Sequence, residues 1–245
     1  SGSSSSLAVS AEHPWVTPSE AVGFRTTPSY AETSAWLDRL VAATPRARKL
    51  TFGRTAEGRE LWLIVVSKEG AATPAALAAN GRPTLLAQAG IHAGEIDGKD
   101  AGLMLLRDLA LPNGSLVSLL DRANFLFIPI LNADGHERSG PFSRINQRGP
   151  ENQGWRTTAR NLNLNRDYTK LDAPEMRALV RVFDQWRPDL YFDLHVTDGA
   201  DYQYDITFGW NGPNALSPAI STWLGDTLRP ALDRDLTARG HIPGP

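Results

Sequence analysis

The sequence predicts an α/β fold: a three-layer α/β/α sandwich around a mixed, mostly parallel central sheet. Three observations support this. Short, nearly uninterrupted apolar runs at 84–89, 125–130 and 190–194 suit strands buried on both faces. Segments in which apolar residues recur at helical spacing lie between them, the alternation that a sheet covered by crossover helices requires. A length of 245 residues, with 41% hydrophobic and 21% charged residues, supplies one sizeable core without the bias of a disordered or fibrous chain.

Taken in order, the chain opens on a Ser-Gly-Ser-Ser-Ser-Ser run that reads as a flexible leader, and the leader is expected to extend over residues 1–25. A first amphipathic helix follows. Tyr30, Trp36, Leu37, Leu40 and Val41 share one face, and Ser29 with Glu32 forms a capping box. Residues 50–52 and 61–67, punctuated by Gly53 and Gly58, predict a hairpin. Helices are expected over 98–109 and 115–122. A further helix starts at Pro174, with Met176, Leu179, Val180 and Phe183 on one face, and Pro188 ends it before the strand at 190–194. Residues 215–239 read as helical.

Composition excludes several functional classes. Lys and Arg number 25 against 27 Asp and Glu, a formal charge of −2, so the chain lacks the basic field that nucleic acid or an anionic membrane surface demands. No apolar run approaches the roughly 20 residues of a membrane helix. With no cysteine, a disulfide framework, a thiol nucleophile and every cysteine zinc cluster are excluded, and any metal must be held by His and carboxylate. No Gly-x-Ser-x-Gly elbow is present, and Gly98-Lys99 is followed by Asp100 rather than the Ser or Thr of a phosphate loop.

In open α/β sheets, sites form at the carboxyl ends of strands. Three predicted strand ends carry polar clusters: Gly90-Ile91-His92-Ala93-Gly94-Glu95, Asn132-Ala133-Asp134-Gly135, and Asp193-Leu194-His195. His92 and Glu95, three apart on a glycine-punctuated turn, can converge on one ion, and His195 can add a third ligand from a neighbouring strand. Two histidines and one carboxylate leave a fourth tetrahedral position open, the arrangement of catalytic zinc. His13, His136 and His241 lack partner spacing and read as surface residues. On residue type alone, Asn161, Asn163 and Asn165 read as a polar turn ladder, and Arg160 and Arg166 as solvated surface charges; only beside the histidines does the reading turn to a site.

These clusters occur in one order with Gly154-Trp155-Arg156 and Leu164-Asn165-Arg166-Asp167. In that order the chain resembles the zinc carboxypeptidase A family of metallopeptidases, from about Tyr30 onwards and most specifically over residues 90–195. The resemblance implies a catalytic domain over 26–245 that hydrolyses C-terminal peptide bonds. It implies one Zn2+ per chain, held by His92, Glu95 and His195. It matches Arg156 to the arginine that polarises the scissile carbonyl and stabilises the oxyanion, and Asn165 with Arg166 to the pair that holds the substrate's terminal carboxylate. A guanidinium fork suits that last task, because it pairs a carboxylate bidentately.

Two positions depart from the family pattern. Asn163 stands where the family has an aspartate that accepts a hydrogen bond from a zinc-bound histidine. No glutamate follows Glu175, whereas the family's general base is a glutamate well downstream of the last ligand histidine. Asp198, Asp201 and Asp205 are alternatives, and the domain is expected to be truncated at its C-terminal end. The expected partner is a peptide with a free C-terminal carboxylate. No nucleic acid, no membrane span, a monomeric state, and a secreted or periplasmic location complete the expectation, with the cytoplasm as the alternative. A cell-wall peptide or γ-glutamyl amidase of the same family, and a zinc- or peptide-binding pseudoenzyme, stay open as alternatives.

Overall fold

In the computed structural model, which describes residues 8–244, helices and strands alternate. In chain order they are α1 (Pro18–Ala21), α2 (Tyr30–Ala43), β1 (Ala47–Arg54), β2 (Glu60–Val66), α3 (Pro74–Ala79), β3 (Thr84–Gln88), α4 (Asp97–Ala110), β4 (Asn124–Ile128), α5 (Ala133–Glu137), α6 (Pro174–Trp186), β5 (Leu190–Asp193), α7 (Pro218–Trp223) and α8 (Arg229–Ala238). The described residues form two units, one running to Asp198 and the other beginning at Gly199.

The first unit holds one five-stranded sheet in the order β1-β2-β4-β3-β5. β1 with β2 and β2 with β4 pair antiparallel, while β3 pairs parallel with both β4 and β5. The interior strands β2, β4 and β3 are largely apolar and buried because both faces are covered, whereas the edge strand β1 carries Arg48, Lys49 and Arg54. Successive strand residues point to opposite faces, so Trp62, Ile64, Val66, Phe125 and Phe127 pack against Trp36, Leu37 and Leu40 of α2 and Leu103 and Leu106 of α4. Leu63, Val65, Leu86, Leu126 and Ile128 pack on the other side against Leu77 of α3 and Met176, Leu179 and Val182 of α6. Helix–sheet–helix layering follows from that alternation.

Local signals place the helix ends. Ser29 and Glu32 form the reciprocal capping box at α2, and Pro174 occupies the first turn of α6. Residues 115–122, expected as an α-helix, instead form a 3₁₀ turn at Val117–Asp121, too short a stretch between α4 and β4 for a full helix to develop.

From residue 8 onward, the stretch expected as leader is folded chain. Thr17 caps α1, and Glu20 of that helix is buried with its carboxylate 2.7 Å from the Arg107 guanidinium of α4. Burial alone would raise the Glu20 carboxyl. Hydrogen bonds from the Thr17 and Val9 backbone and from Arg107 outweigh it and hold the group below its ordinary value. Residues 1–7 lie outside the described residues.

In the second unit, α7 and α8 are joined through a π-helical stretch at Leu224–Leu228, where the prediction has one uninterrupted helix. Pro230 follows directly and cannot donate to the carbonyl four residues back, which explains a widened turn there. Gly244 N donates to Ile206 O at 2.7 Å, and Asp205 N to Ile242 O at 2.9 Å. No described helix is long and apolar enough to cross a membrane.

Truncating Glu20 strands a buried guanidinium. Glu20→Ala is expected to cost about 3–5 kcal/mol in denaturant unfolding, and a loss within experimental error would show that the pair is not desolvated.

Candidate metal centre

β3 and β5 are neighbours, parallel, with Gln88 beside Asp193, so the chain leaves both strands at the same edge of the sheet. The turn after β3 depends on Gly90. Its φ is +71°, and a Cβ there would lie 3.2 Å from the Ile130 backbone. The chain then tightens, Glu95 N donating to His92 O at 3.0 Å, which puts both side chains on one side. His92 Nδ1 lies 3.0 Å from Glu95 Oε1, and His195 Nδ1, arriving from the end of β5, lies 2.8 Å from Glu95 Oε2. One ligand atom from each of His92, Glu95 and His195 falls within 4.8 Å of the others.

The outer ring nitrogens are held as well. His92 Nε2 faces Asn163 Oδ1 at 3.3 Å, the position where a family aspartate was expected, and His195 Nε2 faces Asp193 Oδ2 at 3.1 Å. Both imidazoles therefore aim Nδ1 at Glu95.

Arginines complete the site. Arg156 Nη1 lies 3.7 Å from Glu95 Oε1. Its segment is built in from two sides: Trp155 N donates to Gly135 O at 2.8 Å, and the Asn132 amide donates to Arg156 O at 3.2 Å. Gly154 permits this approach, since a Cβ there would lie 2.7 Å from Ala93 O, on the turn that carries His92 and Glu95. This explains why the Asn132–Gly135 and Gly154–Arg156 motifs accompany the ligand motif.

Sequence reasoning missed Arg144. Its side chain is 4% exposed and places Nη2 2.9 Å from Glu95 Oε1. Nothing in its spacing marks it, because it reaches the cluster from an irregular loop. Asp198, an alternative to the family's base on sequence, has a carboxylate that is 72% exposed and lies 3.4 Å from Arg144 and 3.5 Å from Arg156, as a counterion to both. Asp193, two residues before His195, lies on the same face of the chain as that histidine.

The other site candidates sit nearby or elsewhere. Asn165 and Arg166 occupy the 3₁₀ turn directly after Asn163, and neither side chain bonds to the cluster; Arg166 turns back to the Asn165 carbonyl at 2.8 Å. His136, expected at the surface, is buried with Nε2 2.9 Å from Lys99 Nζ, because the short helix α5 turns it inward. Glu175, the last glutamate, is buried at the start of α6 and accepts from Ala56 N, away from the cluster.

The electrostatics follow the geometry. Burial would raise the Glu95 carboxyl, but hydrogen bonds from His195 and His92 and the Arg144 charge hold it well below the usual carboxylate range. Hydrogen bonds to Asp193 and Glu95 push His195 up to about 9 against its burial. Without a metal, His195 is thus the cationic partner of two carboxylates.

A profile of the zinc carboxypeptidase family (Peptidase_M14) matches residues 33–217. The chain belongs to the zinc carboxypeptidase family. It is 28% identical to carboxypeptidase D of Homo sapiens over 186 residues, covering 72% of this chain and 12% of that protein. Among solved structures, carboxypeptidase A of Helicoverpa armigera superposes with a TM-score of 0.62 at 20% identity, over 86% of this chain and 55% of that one. A metallo-carboxypeptidase of Burkholderia cenocepacia gives 0.55 at 24% identity, over 71% and 43%. At these identities the likeness is one of fold. The chain spans about half the length of these solved structures and a much smaller share of carboxypeptidase D.

The donor set fits the family's metal. Two imidazole nitrogens and a carboxylate match the ligand types of zinc carboxypeptidases, and one ligand atom from each lies within 4.8 Å of the others.

The raised His195 value has a signed consequence for the metal-free protein. His195 contributes stability that is fully present below its ordinary 6.5 and is lost as pH rises through about 9. The unfolding temperature of chelator-treated protein, compared with that of His195→Gln, should show an advantage at pH 6 that shrinks towards pH 9. A pH-independent difference would contradict the pairing.

Proposed function

We propose that this chain binds one zinc ion through His92, Glu95 and His195 and acts on peptides at a free C-terminal carboxylate. The observation that carries the reading is convergence: both Nδ1 atoms and the Arg156 guanidinium lie within 4 Å of the one Glu95 carboxylate.

Bound zinc supplies a Lewis acid and brings the pKa of a water to about 7. The protein's own groups do the rest. Arg156, whose guanidinium lies between Asp198 and Glu95, takes up the negative charge that develops on a carbonyl oxygen beside the ligands. Asp198 is exposed and bonded only at the edge of hydrogen-bond range, so a substrate anion can displace it from the two guanidiniums. Asn165 and Arg166, next to the Asn163 that supports His92, are the family's carboxylate-holding pair. For Arg166 this requires its side chain to leave the Asn165 carbonyl, an exchange of a neutral acceptor for a charged one.

Metal analysis of the purified chain should find one zinc per chain, lost in His92→Ala and in His195→Ala; unchanged occupancy in both would reject the ligand set. Zinc-loaded protein should bind a peptide acid about tenfold or more tighter than the same peptide amidated at its C-terminus, the value of one charge-assisted contact, with Arg166→Ala abolishing the difference. Equal affinity for acid and amide would reject the substrate class.

A further inference from the structure

The two imidazoles of the cluster differ in what supports them. His92 Nε2 meets the neutral amide oxygen of Asn163, whereas His195 Nε2 meets a carboxylate oxygen of Asp193. Asp193 is itself anchored. The Tyr168 hydroxyl donates to the same Oδ2 at 3.3 Å and lies 3.1 Å from the Tyr191 hydroxyl, which donates to Gln88 Oε1 at 2.8 Å. Phe183 of α6 packs edge-on against the Tyr191 ring, with centroids 4.8 Å apart. Asp193 Oδ1 is buried and has no hydrogen-bond partner among the described residues, so the bonding of this carboxylate is concentrated on the oxygen that faces His195.

We propose that Asp193, anchored by the Tyr168 hydroxyl, is a positioning residue for the metal centre and carries on His195 the anionic support that His92 lacks. The inference rests on the ligand reading of His92, Glu95 and His195. A carboxylate that accepts from the outer N–H of a ligand imidazole fixes its tautomer, so that the lone pair lies on Nδ1, and raises its basicity. Strand geometry makes the pairing possible: residues 191, 193 and 195 share one face, and Tyr168 reaches that face from the loop after Arg166. Burial pushes the Tyr168 phenol up to about 12, with Asp193 adding to it, so the phenol remains a donor. The amide on one histidine and the carboxylate on the other amount to a transfer of charge between the two supports. Asn163 Oδ1 also accepts from Asn165 N at 3.1 Å, a contact that an aspartate at 163 would keep.

The test is zinc affinity at one fixed pH, by competition with a chelator, in the parent chain, Asp193→Asn, Tyr168→Phe, and the double variant Asn163→Asp/Asp193→Asn. Circular dichroism checks the fold of each. Asp193→Asn should weaken zinc by about 10–100-fold. Tyr168→Phe should weaken it by a smaller factor, since the charge stays and only its anchor goes. The double variant should recover most of the loss, because a carboxylate again supports one ligand imidazole, a rescue that a merely structural role for Asp193 would not give. Unaltered affinity in Asp193→Asn or in Tyr168→Phe, or a double variant as weak as the single, overturns the proposal while leaving the ligand set intact. If the parent chain itself takes up no zinc, the ligand reading and the proposal fall together.

Discussion

A single buried carboxylate organises the site. Glu95 is charged and almost wholly withdrawn from water, a placement whose desolvation cost must be met by donors. It receives them from two imidazoles, from Arg144 and from the Val196 backbone, with Arg156 a little farther out. These partners come from segments far apart in sequence: the turn after β3, the exit of β5, and the two loop stretches that carry residues 144 and 156. Each of these segments delivers a donor to the same anion. The arrangement that balances this charge in the metal-free chain is the one a divalent cation would use.

The sheet makes that convergence possible. Parallel pairing of β3 with β5 brings two strand exits to one edge, and β4, on the other side of β3, brings the Asn132–Gly135 turn alongside. The turn fixes the backbone of Arg156 through main-chain contacts, so its side chain starts from a defined position beside the ligands. Behind the first ring of contacts lies a row of polar groups on the face of β3 and β5, from Gln88 through Tyr191 and Tyr168 to Asp193. Two atoms of the row, Gln88 Nε2 and Asp193 Oδ1, have no hydrogen-bond partner among the described residues, so its bonding is concentrated on the contacts that lead to His195. Here the row ends on a histidine whose orientation matters.

Much of this was legible in the sequence, for physical reasons. Strands buried on both faces announce themselves as continuous apolar runs, and Ser29, Glu32 and Pro174 mark helix starts by chemistry that operates over one turn. His92, Glu95 and His195 stand out because ligand types at strand ends have few other uses, and Arg156 follows from its motif. What stayed hidden depends on tertiary placement. Arg144 comes from an irregular loop whose path no local rule predicts. His136 looks like a surface residue until α5 turns it towards Lys99. Residues 8–25 are anchored by contacts such as that of Glu20 with Arg107, on a helix some ninety residues away. Asn163 was correctly placed against a histidine, yet the compensating carboxylate on the other histidine required the register of β5 and the reach of Tyr168.

The central claim, that Glu95 and two Nδ1 atoms form one metal centre, is tested most directly by anomalous X-ray diffraction from zinc-soaked crystals at the zinc absorption edge. One strong peak is predicted, about 2.0–2.2 Å from His92 Nδ1, His195 Nδ1 and a Glu95 oxygen, with the outer ring nitrogens still on Asn163 and Asp193. Absence of a peak there, or a peak coordinated through either Nε2, would contradict it.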